Sequence, residues 1–126
     1  MNGRFILINA LHTDAFVDCR IPQSTSIPLD KLKQAAAGLD KNSEIIIHCA
    51  SEECPVGRQV CHLLMNLGFT NVRELEGGIR TWKHKGLPTE GYCQAAYLKP
   101  PFGKPLPHDP KVKIITAEEL KKKLGI

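Results

Sequence analysis

The sequence predicts an α/β domain built around a parallel sheet. Three apolar runs of strand length occur in order: RFILINA (4–10), EIIIHC (44–49) and NVREL (71–75). Segments with helical spacing of apolar residues lie between and after them, joined by short connections. Strand and helix alternating over residues 4–86 is the pattern of crossover units, in which a helix returns the chain parallel to the strand before it.

RFILINA is apolar on both faces, which suits a central buried strand. The opening MNGRFILINAL holds one Arg, but Asn9 interrupts the apolar run and no small-residue cleavage site follows. A first strand is therefore expected there, not a signal peptide. Thr13 is placed to cap a short helical turn through Val17. Pro22 and Pro28 keep IPQSTSIPL extended, because each pushes its predecessor out of the helical region. Pro28 then suits the first turn of a helix over LDKLKQAAAG, with apolar Leu29, Leu32, Ala36 and Leu39 and an end near Gly38. EIIIHC is a second buried strand. PVGRQVCHLLMNLG is the clearest helix: Val56, Val60, Leu63, Leu64 and Leu67 share a face, Pro55 opens it and Gly68 closes it. NVREL is a third strand. GGIRTWKHKG is a short helix between glycines, with Trp82 packing it onto the sheet and Gly77 and Gly78 allowing a tight turn. Residues 91–110 hold five of the nine prolines and no hydrophobic period, so an ordered or semi-extended connector is expected. VKIITAEELKKKLGI resumes structure as a short β-branched strand and a helix, which Thr116 and Glu119 open as a capping box.

At 126 residues the chain suits one compact domain, and 42% hydrophobic with 24% charged residues is ordinary for a soluble one. Much of the net charge of +4 comes from Lys111, Lys113, Lys121, Lys122 and Lys123, read as the solvated face of the last helix. Aromatic residues are sparse and not interleaved with basic ones, so no nucleic acid is expected as partner. No segment has the apolar length to span a bilayer, so no membrane is expected either. The five cysteines, Cys19, Cys49, Cys54, Cys61 and Cys93, form no CxxC pair, and neither a metal nor another cofactor is expected. Their odd number argues against a secreted disulfide framework and for a reduced cytoplasm.

Ligands of parallel sheets gather beyond the carboxyl ends of the strands, and Cys49 stands at such an end. It is the candidate nucleophile. The loop Ala50, Ser51, Glu52, Glu53, Cys54 runs from it to the helix near Pro55. Its amides can curl round the sulfur, and the helix N-terminus adds to the positive field that lowers a thiol pKa. Glu52 and Glu53 pointing outward would repel small anionic donors, and pointing inward would raise the thiol. Cys54 is either a resolving thiol or a small residue at a helix start. Arg58 either supplies positive charge to the loop or is solvated. Cys61 is expected in packing, and Cys19 and Cys93 are expected to be incidental. His48 reads as a satisfied sheet histidine, and His62 flanks the site in sequence.

Four pieces in order resemble the rhodanese-like domains: DCRIPQSTSIPL, IIIHC with a six-position loop over 49–54, LLMNLGFTNVRELEGG, and IRTWKHKGLP. The resemblance covers most of residues 4–90. It implies a parallel sheet flanked by helices on both faces, and sulfur transfer in which Cys49 carries sulfane sulfur as a persulfide. Loop amides from Ala50 to Cys54 would hold that persulfide, and the partners would be a sulfur donor and a nucleophilic acceptor. The family's common loop has a glycine and a basic fifth residue; Glu52 and Glu53 here favour a protein persulfide or neutral polysulfide over thiosulfate. A subgroup of the family has a second cysteine at loop position six, here Cys54, which could attack the persulfide and release sulfide. Related phosphatases have an arginine where this chain has Pro55. The piece VKIITAEELKKKL normally precedes the first strand in this family, so a circular permutation is expected. Residues 111–124 would then pack beside residues 4–10, with the helix end at Gly125–Ile126 near Met1. The piece could instead dock on a neighbouring chain as a swapped dimer or begin a second, truncated domain, so monomer and homodimer both stay open. Two other functions compete with sulfur transfer: a non-catalytic binding module, and a redox protein using a Cys49–Cys54 disulfide.

Overall fold

A computed structural model describes residues 5–126. Its elements, in order, are β1 (Ile6–Asn9), α1 (Thr13–Asp18), β2 (Thr25–Ser26), α2 (Leu32–Ala36), β3 (Ile45–His48), α3 (Val56–Asn66), β4 (Val72–Leu75), α4 (Gly78–His84), β5 (Lys113–Ile115) and α5 (Ala117–Leu124). The strands form one five-stranded sheet in the order β2-β1-β3-β4-β5, and every pairing is parallel. Strand β3 lies at its centre and all four of its residues are buried. Alternation then divides the apolar side chains between two cores. Ile8, Ile45, Ile47 and Val72 face α2 and α3 through Leu32, Val60 and Leu64. Leu7, Ile46, Leu75 and Ile115 face α4 and α5 through Trp82, Leu120 and Leu124. Each isoleucine buried this way contributes roughly 1.5–3 kcal/mol.

The C-terminal strand is where the expected packing needs correction. β5 pairs with β4, matching Arg73 to Lys113 and Leu75 to Ile115, and does not lie beside residues 4–10. The physical reason is edge occupancy: β2 and β3 already flank β1, so β5 must pair elsewhere, and the four-residue β4 offers a longer edge than the two-residue β2. Helix α5 crosses back over the sheet, with Lys123 Nζ 2.9 Å from a Glu44 carboxylate oxygen and Gln23 Nε2 donating to Leu124 O. The expected approach of Gly125–Ile126 to Met1 falls outside the described residues. The capping box forms as read: Thr116 Oγ1 accepts from Glu119 N, and Glu119 Oε1 accepts from Thr116 N.

Three local expectations also shift. His12, not Thr13, caps α1, because Thr13 is already helical. Pro28 is extended and sits outside its helix, which opens as a 3-10 turn over Leu29–Lys31 before α2, leaving Leu29 38% exposed. Cys19 and Cys93 are not incidental: they form a disulfide. An antiparallel bridge joins Arg20 to Glu90 by two backbone hydrogen bonds, and Cys93 N donates to Asp18 O. Together these bring the start of the connector against the end of α1. The connector is irregular except for a 3-10 turn over Ala96–Leu98, where Leu98 is buried. No helix among the described residues is long and apolar enough to cross a membrane.

Candidate active site

Cys49 follows β3 directly. Alternation with Ile45 and Ile47 turns it toward α3, and its side chain is buried. Helix α3 can come close because Gly57 has no side chain: a Cβ there would stand 3.3 Å from Cys49 Sγ. The amides of Ser51 and Gly57 face the Cys49 sulfur, and those of Ala50, Val56 and Gly57 face the Cys54 sulfur. Cys54 N itself donates to Ser51 O, closing a turn, so Cys54 reaches the site through its thiol. Helix α4 holds the loop from the other side, with Ile79 N donating to Cys49 O and Arg80 N to Ala50 O, each at 3.0 Å.

The Cys49 thiol donates to Cys54 O at 3.5 Å and to Ser51 O at 4.0 Å. The neighbouring Cys49 side chain is the main cause lowering Cys54 to about 6, and the three loop and helix amides add to it. The Cys54 side chain, then burial, pushes the Cys49 thiol up. The pair therefore holds one thiolate near neutrality, cradled by backbone N–H groups. Carbamidomethylation of this pair is expected to speed up as pH rises through about 6 and to level off near pH 7. A rate still climbing at pH 9, as for an unperturbed thiol, would contradict a shared thiolate.

The two glutamates part company. Glu53 is held by Arg80 through two parallel bonds, Nη1 to Oε1 at 2.6 Å and Nη2 to Oε2 at 2.7 Å, and this pairing keeps its carboxylate below the usual range. Arg80 is buried on α4 and stacks 3.8 Å from the centre of the Phe102 ring. Glu53 is thus neutralised locally, whereas Glu52 is exposed and lines the cavity beside Cys49. Arg80 was not among the expected site residues; in sequence it is one of several polar residues of GIRTWKH, with only its place just after Gly77 and Gly78 to mark it.

Arg58 is half-buried and contacts β4 and the connector. Its Nε lies 3.6 Å from Glu74 Oε1, and Nη1 donates to Pro107 O at 2.6 Å. Cys61 is buried among Val60 and Leu64 as expected, its thiol pushed up to about 12 by burial. His48 needs correction. It is fully buried, neither ring nitrogen has a hydrogen-bond partner, and burial lowers it to about 4. Its alternation with Cys49 puts it on the opposite face of the sheet, away from the sulfur. His62 binds Asp109 at 2.7 Å, away from Cys49.

The connector supplies what the loop alone lacks. Leu106 N donates to Glu52 O at 2.9 Å, and Pro105, Leu106 and His108 wall a cavity of about 300 Å³ over Cys49 and Cys54. This wall was illegible in the sequence, where the segment has no periodicity.

The model of the rhodanese-like domain family matches residues 1–85, more than half of the chain. The chain belongs to the rhodanese-like domain family. Among curated relatives, this rhodanese-like domain is 38% identical over 71 residues to "Rhodanese-like domain-containing protein 14, chloroplastic" of Arabidopsis thaliana, covering 47% of this chain and 32% of that one. It is 31% identical over 68 residues to a "Sulfurtransferase" of Allochromatium vinosum, covering 54% and 62%. In both cases the chain spans less than two thirds of the relative's own length. A rhodanese-like domain from the Alr3790 protein of Anabaena superposes with a TM-score of 0.63 at 30% identity, over 69% of this chain and 99% of that one.

Proposed function

We propose that this domain is a sulfurtransferase that takes sulfane sulfur onto Cys49 as a persulfide and passes it to a thiol or another nucleophile. The observation that carries the reading is the Cys49 sulfur at the end of β3, facing the Ser51 and Gly57 amides under a walled cavity. The Cys49 sulfur attacks a sulfane sulfur as its proton passes to the Cys54 thiolate, the donor's S–S bond breaks, and the departing sulfur takes the electron pair. The loop amides then offset the charge of the persulfide. Residues 111–126, in permuted order, complete the single domain by adding β5 and α5, with 91–110 returning the chain. The cytoplasm, where Cys49 and Cys54 stay reduced, is the setting this reading favours, and the Cys19–Cys93 bridge pulls the other way.

The lowered Cys54 thiol beside Cys49 favours one further reading of the same site: Cys54 attacks the persulfide, forming a Cys49–Cys54 disulfide and releasing sulfide. Glu52 at the cavity disfavours a dianion, so polysulfide or a protein persulfide is the proposed donor, not thiosulfate. Incubation of reduced protein with polysulfide and, separately, with thiosulfate tests this by intact mass and peptide mapping. Polysulfide is expected to add sulfur to the Cys49 peptide, transferable to cyanide, and thiosulfate to add little. A Cys49–Cys54 disulfide without added sulfur would favour sulfide release or a redox role. Two unmodified thiols with both donors would leave a non-catalytic binding module.

A further inference from the structure

The chemistry above leaves the Glu74 carboxylate, which lines the cavity, unused. Glu74 pairs in register with Ile47, so its side chain emerges on the α3 face, one alternate-residue step before Cys49 on the neighbouring strand. The missing Cβ of Gly57 marks the gap that the two groups share: it would stand 2.8 Å from Glu74 Oε2 and 3.3 Å from Cys49 Sγ. The Glu74 side chain is 13% exposed, and burial is the main cause raising its carboxyl above the usual range. Arg58 on α3 opposes that shift, while Cys54 in the loop and Asp109 in the connector add to it. Cys61 faces the carboxylate from the same helix, and His108 lines the cavity from the connector. Arg58 does not cap the carboxylate closely: the gap is 3.6 Å and Arg58 Nε has no hydrogen-bond partner.

We propose that Glu74 is the proton-transfer group of the second half-reaction, in which the Cys49 persulfide hands its sulfur to a protonated alkyl thiol. This rests on the sulfurtransferase reading. The Glu74 carboxylate takes the proton of R–SH as the thiol sulfur attacks the outer sulfur of Cys49–S–S⁻. The S–S bond breaks and its electron pair goes to Cys49 Sγ. The product leaves as R–S–S⁻, and the Glu74 carboxyl returns the proton to the buried Cys49 thiolate, restoring Cys49–SH. A weakly acidic thiol needs this base; a thiol already ionised in solution does not.

The experiment loads full-length protein with polysulfide, removes the donor, checks the added sulfur by intact mass, and follows single-turnover transfer near pH 8. Two acceptors that carry no charged group besides the thiol are compared: 2-mercaptoethanol, mostly protonated there, and 2,2,2-trifluoroethanethiol, mostly ionised. In Glu74→Gln, transfer to 2-mercaptoethanol is expected to fall about 10²-fold and transfer to trifluoroethanethiol no more than about threefold. Glu74→Asp, which keeps the carboxyl but draws it back, should show the same contrast in smaller measure and serves if the glutamine variant does not fold. Equal slowing with both thiols would overturn the proposal in favour of a purely structural role, and no slowing with either would overturn it outright. Wild-type protein that takes up no sulfur would instead remove the sulfurtransferase reading itself, a failure visible before any acceptor is added.

Discussion

Cys49→Ala is expected to take up no sulfur from polysulfide and to lose transfer to cyanide by roughly 10³-fold or more, because the atom that bonds the sulfur is gone. The fold should survive, since the change trims one small side chain in a site already lined by loop backbone. Cys54→Ser is the informative partner. The thiolate that the pair holds at neutral pH is drawn toward Cys54 by three amides, so ionisation alone does not single out Cys49. Position does: Cys49 ends the central strand, beside the Ser51 and Gly57 amides. Sulfur uptake by Cys54→Ser together with none by Cys49→Ala is the expected pattern by mass spectrometry. The reverse pattern would move the carrier to Cys54.

Gly78→Ala is expected to be the most damaging small substitution at the site. Gly78 has a φ of +62°, and a Cβ there would stand 2.7 Å from both Cys49 O and Ser51 N and 2.8 Å from Ala50 C. All three are backbone atoms, so the loop itself must move, and with it the bonds from Ile79 N to Cys49 O and from Arg80 N to Ala50 O. The left-handed conformation costs about 1–2 kcal/mol for a side chain. Forced displacement adds about 1–3 kcal/mol. A fall in Tm of roughly 5–10 °C should accompany loss of sulfur uptake. Gly86→Ala is the control: its φ of +77° is similar, but nothing lies within 4 Å of its Cβ position. It should lower Tm by less and leave sulfur uptake intact. Equal effects from the two would show that backbone strain, not contact with the loop, governs this position.

The sequence by itself determined whatever depends on neighbours along the chain. The isoleucine run ending at Cys49, the helix opened by Pro55 and closed by Gly68, and the Thr116–Glu119 capping box are local patterns, set by side-chain period and by the unpaired amides of a helix end. The position of Cys49 at a strand's carboxyl end follows from them. Tertiary structure alone decided what meets across the sheet. β5 could not lie beside β1 because both edges of β1 were occupied, and it pairs with β4 instead; periodicity does not say which edge is free. Glu53 looked like a charge opposing anions until Arg80, 27 residues on, was seen to neutralise it. Cys19 and Cys93 pair across 74 residues, and the proline-rich connector becomes a cavity wall. Glu74 reads in sequence as one more strand residue; only its register with Ile47 turns it toward α3 and the Cys49 sulfur. A shift of one residue would have sent it to the opposite face, because successive side chains of a strand alternate.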